Sequence, residues 1–123
     1  MRKLFVVVAL VALVTMVAAC GGGSGGGQPA GSTKVSLTEF KFDPSAITVT
    51  HGKVKFWLVN TGNTSHDMSI KDSSGNAVVT SELVSPGDSM EFDVDNLAAG
   101  SYTIVCTQPG HEASGMKGTL TVT

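Results

Sequence analysis

The chain has 123 residues, 41% of them hydrophobic, and a formal net charge of −2 from eight basic and ten acidic side chains. That length has room for one small domain, of about 90 residues once an N-terminal segment is removed. No basic cluster is present, which argues against nucleic-acid binding, and no internal repeat is visible.

The chain opens with the marks of export. Met1-Arg2-Lys3 supplies a positive start, Leu4 through Val14 an unbroken apolar run, and Val17-Ala18-Ala19-Cys20 the small residues where a signal is cut. Residues 1–19 are therefore read as a signal peptide. Val17-Ala18-Ala19-Cys20 also resembles the lipobox of bacterial lipoproteins, in which the cysteine becomes the acylated first residue, so Cys20 is the expected lipidation site and membrane anchor. Two alternatives stay open, an uncleaved anchor and simple secretion. The apolar stretch Leu4 to Ala19 falls short of the roughly 20 residues that a spanning helix needs. Each reading places the rest of the chain outside the cytoplasmic membrane, in the periplasm or at the cell surface. Arg2 and Lys3 leave with the signal, so the remainder carries six basic residues against ten acidic ones.

Residues 20–33 run from Cys20 through a Gly/Ser-rich tract that can bury no apolar surface. They read as a flexible linker with a span of about 20 Å, which would let a tethered domain reorient toward more than one partner.

From Lys34 onward, short alternating segments are separated by turn residues. Val35 and Leu37 alternate with polar neighbours, and Phe40 and Phe42 resume the alternation out of phase, which predicts a bulge. Asp43-Pro44 breaks the run. Ala46 to Thr50 and Lys53 to Asn60 read as strands divided by His51-Gly52, the second with Val54, Phe56 and Leu58 on one face. His51 has no ligand-type neighbour and reads as a surface residue. The polar loop Asn60 to Ser65 delivers His66 at the head of a strand ending at Lys71. Val78 to Val84 fits either a strand or a short helix. Met90, Phe92 and Val94 alternate with Glu91, Asp93 and Asp95, whose acidic row is most simply a solvated strand face. Ser101 to Thr107 and Lys117 to Thr123 complete about eight strands. The expected fold for residues 34–123 is an all-β, antiparallel Greek-key sandwich.

The last two strands flank the most informative stretch. Cys106, His111 and Met116 recur at C-x4-H-x4-M, and His66 ends a turn some 40 residues upstream. A thiolate, two imidazoles and a weak axial thioether are the donor set of a type 1 copper centre: soft sulfur favours Cu(I), and imidazole serves both oxidation states. Taken singly, a strand cysteine or a methionine is more often core filler. The joint spacing is what carries the assignment, with Pro109, Gly110 and Gly115 turning the loop. A disulfide between Cys20 and Cys106 is the ordinary expectation for two cysteines in an exported chain, but Cys20 lies at the processing site and Cys106 is taken by the ligand pattern.

The run Tyr102 to His111, continued by Gly115 to Val122, resembles the copper loop and last strand of the cupredoxins, nearest to their auracyanin and plastocyanin-like branch. The upstream match is Glu39 to Val49, then Val59-Asn60-Thr61-Gly62 and His66-Asp67. The resemblance implies a β-sandwich with one copper ion cycling between Cu(I) and Cu(II). It also implies that Asp67 hydrogen-bonds the backbone near Cys106 and Thr107, and that His111 has a ring edge near the surface within an apolar patch.

The function expected is one-electron transfer between redox proteins such as cytochromes or respiratory and photosynthetic complexes, by a monomeric domain with no substrate chemistry of its own. Copper delivery or buffering is the alternative, and it would be expected to expose the ligands for exchange. Zinc binding fits poorly with a methionine ligand, and a cysteine nucleophile would need an accessible cleft with a base and an oxyanion site.

Overall fold

The computed structural model describes residues 27–123. The predicted signal peptide, Cys20 and the first part of the linker lie outside the described residues. Nine strands follow: β1 (Thr33–Thr38), β2 (Lys41–Asp43), β3 (Ala46–Val49), β4 (Gly52–Asn60), β5 (Ser69–Lys71), β6 (Ala77–Thr80), β7 (Ser89–Leu97), β8 (Gly100–Val105) and β9 (Lys117–Val122). They form two sheets, ordered β2-β1-β4-β7 and β3-β9-β8-β5-β6.

Alternation along the strands builds the core between the sheets. In β4, Val54, Phe56 and Leu58 are buried while Lys53, Lys55 and Trp57 are not, and Phe56 stacks on Phe92 of β7 with ring centroids 6.0 Å apart. The opposing sheet supplies Ile47, Ile70, Ile104, Leu120 and Val122. Each such side chain taken out of water contributes about 1.5–3 kcal/mol before entropy is charged against it. The acidic row of β7 lies outward as expected and is answered by its neighbour strand. Lys53 lies 3.9 Å from both Asp93 and Asp95, and Lys55 lies 4.0 Å from Glu91.

Two expectations are modified. The phase change between Leu37 and Phe42 is a hairpin rather than a bulge. β1 and β2 pair antiparallel around Glu39-Phe40, with Leu37 opposite Phe42, and facing residues must share one side of a sheet. An odd position on one strand therefore meets an even one on the next. The nine strands among the described residues agree with the expected number of about eight, but both sheets are mixed instead of antiparallel, because β1 pairs parallel with β4 and β3 parallel with β9. After β2 the chain crosses to the second sheet as β3 and then returns, so that β4 re-enters beside β1 in the same direction.

The ambiguous segment Val78 to Val84 contains no helix. It holds the end of β6 and then an extended stretch in which Val84 forms an isolated bridge with His66. His51 is exposed, as expected, and its Nδ1 donates to the Thr123 carbonyl at 2.8 Å.

Candidate metal centre

Cys106 directly follows β8, and β9 begins at Lys117, which pairs with Val105. The loop between them is thus pinched at its base, where the Cys106 amide donates to the Met116 carbonyl at 3.2 Å. Inside it, His111 N donates to Gln108 O at 3.1 Å, Gly115 N to Glu112 O at 2.9 Å and Met116 N to His111 O at 3.0 Å. Gly110 and Gly115 take φ values of 79° and 108°, a region that a β-carbon disfavours. These turns fold His111 and Met116 back over Cys106.

His66 arrives from the other side. Its backbone exchanges hydrogen bonds with Val84, 3.1 Å in one direction and 2.8 Å in the other. Asn60, itself buried, holds the approach by donating to the carbonyls of Thr64 and Val84, both at 2.8 Å.

The side chains then converge. His66 Nδ1 and His111 Nδ1 lie 3.2 Å apart, and Cys106 Sγ lies 3.5 Å from the His111 nitrogen and 3.9 Å from that of His66. The three donor atoms fall within 4.8 Å of one another, a spacing suited to nitrogen and sulfur ligands that sit about 2.0–2.3 Å from a shared ion. His66 and Met116 are fully buried and Cys106 nearly so, whereas His111 is partly exposed. Burial pushes the Cys106 thiol above its ordinary pKa. A buried thiol so raised is a poor free nucleophile, and a metal must displace its proton to bind it.

Asp67 and Thr107 meet as well. Asp67 Oδ1 accepts the Thr107 amide proton at 2.7 Å, and its other oxygen accepts the Thr107 hydroxyl. Cys20 lies outside the described residues.

Two further residues lie beside the ligands. Glu39, in the β1–β2 turn, has Oε1 3.1 Å from His66 Nε2, and the Thr64 hydroxyl and amide hold its carboxyl down to about 2. Phe40 is 42% exposed and meets the His111 ring edge-on at 5.2 Å between centroids. Both belong to a hairpin turn remote in sequence from the loops they touch, and no local pattern signals such contacts.

A β-sandwich that gathers one thiol and two imidazole nitrogens at a single end is a metal-binding sandwich of the blue-copper type. The chain belongs to the cupredoxin-like domain family, whose pattern matches residues 5–122. It is 37% identical over 87 residues to plastocyanin of Scenedesmus fuscus, covering 66% of this chain and 85% of that protein. It is 44% identical over 48 residues to auracyanin-B of Chloroflexus aurantiacus, covering 39% of this chain and 20% of that one. The match therefore spans a fifth of auracyanin-B. Among solved structures, the reduced auracyanin of Roseiflexus castenholzii superposes with a TM-score of 0.67 at 22% identity, over 78% of this chain and 99% of its own. At that identity the likeness speaks for the fold.

Proposed function

We propose that the protein is a one-electron carrier whose single copper ion would be held by Cys106, His66 and His111, with the Met116 thioether as a fourth, weaker ligand. The observation that carries this reading is the convergence of two imidazole nitrogens and one thiol sulfur within 4.8 Å, in a buried setting beside a fully buried methionine. Copper in such a set exchanges one electron between Cu(I) and Cu(II).

The protein's own part is to hold the donors still. Cys106 would hold the ion through its thiolate and His66 and His111 through ring nitrogens, and the hydrogen bonds between Asp67 and Thr107 tie the two ligand-bearing segments together. A frame that keeps the same ligand positions in both oxidation states lowers the reorganisation that electron transfer requires. Membership in the cupredoxin-like family supports this reading. Copper delivery fits less well, because His66, Cys106 and Met116 are closed to solvent.

The wider setting follows from the sequence. Residues 1–19 direct export, residues 20–33 tether the domain through a lipid on Cys20 outside the cytoplasmic membrane, and residues 34–123 carry the copper. The partners are redox proteins such as cytochromes or membrane electron-transfer complexes, met by a monomeric domain. The test is redox cycling of the copper-loaded protein. A carrier keeps one copper per chain through repeated reduction and reoxidation with a Cu(I) chelator present, whereas loss of the ion at each reduction would favour delivery.

A further inference from the structure

His66 is fully buried, so both of its ring nitrogens need partners. Nδ1 faces Cys106 and His111. Nε2 faces Glu39 Oε1 at 3.1 Å. The same oxygen accepts from Asn63 N at 2.8 Å, Thr64 N at 2.8 Å and Thr64 Oγ1 at 2.9 Å. Three of these neighbours are N–H or O–H donors, so the oxygen they surround acts as an acceptor, as an ionised carboxylate does.

The loop is shaped to admit this group. A β-carbon at Gly62 would lie 2.5 Å from Glu39 Oε1, 2.8 Å from Oε2 and 2.9 Å from Cδ. Gly62 N in turn donates to Asn60 Oδ1 at 2.9 Å, so the backbone that carries the missing side chain is itself fixed. The cradle consists of the space above Gly62 and the amides of Asn63 and Thr64.

We propose that Glu39 is a positioning residue of the metal centre: its carboxylate accepts the His66 Nε2 proton and locks the ring in the tautomer that leaves Nδ1 free for the metal. This rests on the copper assignment above only for its effect on the ion. The tautomer itself is a property of the metal-free chain. Hydrogen bonds of this kind fix ring orientation and raise ligand basicity. A more basic imidazole stabilises Cu(II) over Cu(I), so Glu39 also holds the reduction potential down.

The experiment compares wild type with Glu39→Gln, Glu39→Ala and Gly62→Ala, first without metal and then with copper. Long-range proton–nitrogen NMR of the metal-free protein should show His66 protonated at Nε2, with slow solvent exchange of that proton. In Glu39→Ala the ring should populate both tautomers with faster exchange, and copper affinity should fall about 10- to 100-fold. Gly62→Ala should reproduce the tautomer change with Glu39 still present, by displacing its carboxylate. Glu39→Gln keeps an acceptor oxygen but loses the charge, so the tautomer should persist while the potential shifts upward. A His66 ring that stays protonated at Nε2 with unchanged exchange in both Glu39→Ala and Gly62→Ala overturns the proposal, even if those variants melt earlier. If Glu39→Ala does not fold, Gly62→Ala decides by the same spectra. Failure of every form to bind copper would instead overturn the copper assignment, and the metal-free tautomer would still report on Glu39.

Discussion

The Asp67 carboxylate binds Thr107 twice, through the backbone amide at 2.7 Å and through the hydroxyl. Asp67 follows His66 and Thr107 follows Cys106, so this one contact sets the distance between two ligands that lie 40 residues apart. Asp67 is 5% exposed, and the carboxylate satisfies two donors at the mouth of the ligand loop.

Asp67→Ala should therefore destabilise the metal-free protein by about 2 kcal/mol, the scale of hydrogen bonds to a charged group, and shift the reduction potential while copper still binds. Thermal melting and voltammetry check this. Unchanged melting and an unchanged potential would reduce Asp67 to a bystander.

Met116→Gln replaces a thioether with a harder oxygen donor. It should stabilise Cu(II) and lower the potential with Cys106 still bound. The methionine is fully buried, so the substituted amide would be closed to solvent. A potential and spectrum identical to wild type would remove Met116 from the site.

Ligand identity and strand faces could be read from the chain because both are local. C-x4-H-x4-M lies within a single loop, and β4 alternates with a period of two that burial follows residue by residue. Pairing is not local, and there the reading stopped short. Nothing in Val35 and Leu37 says that β1 lies parallel to β4. Val78 to Val84 lacks a clear period because it is stabilised by particular contacts instead of an amphipathic face: Ser81 Oγ accepts the Met68 amide at 3.0 Å, and Val84 bridges to His66. Glu39 escaped for the same reason. Its role depends on a hairpin turn lying beside the loop from Gly62 to Thr64, a contact that exists only once the first sheet has formed.

The route of the electron is expected to run through His111. Its ring is partly exposed and packs against the exposed Phe40, with Ala113 exposed in the same loop. Ala113→Lys places a charge there without touching a ligand. Electron self-exchange, followed by NMR line broadening in mixed oxidation states, should slow by about tenfold or more, as charge at a docking rim does, with spectrum and potential unaltered. The acidic strand is the competing port, though Lys53 and Lys55 already stand beside it. An unaltered rate in Ala113→Lys, with a large loss on reversing Glu91 and Asp93, would move the port to β7.

The tether makes a separate prediction. Cys20→Ser should release folded, copper-binding protein from membranes, because a lipid on Cys20 is the proposed anchor. Membrane fractionation is the assay. Full retention of the variant would point to an uncleaved N-terminal helix or a tightly bound partner.

The most direct test of the central claim is the visible absorption spectrum of the copper-loaded protein beside that of Cys106→Ser. A thiolate bound to Cu(II) in the plane of two imidazoles gives an intense sulfur-to-copper charge-transfer band. The account predicts that this band is present in wild type, bleaches reversibly on one-electron reduction, and is absent from Cys106→Ser. A colourless wild-type copper complex, or a band that survives the loss of Cys106, would contradict it.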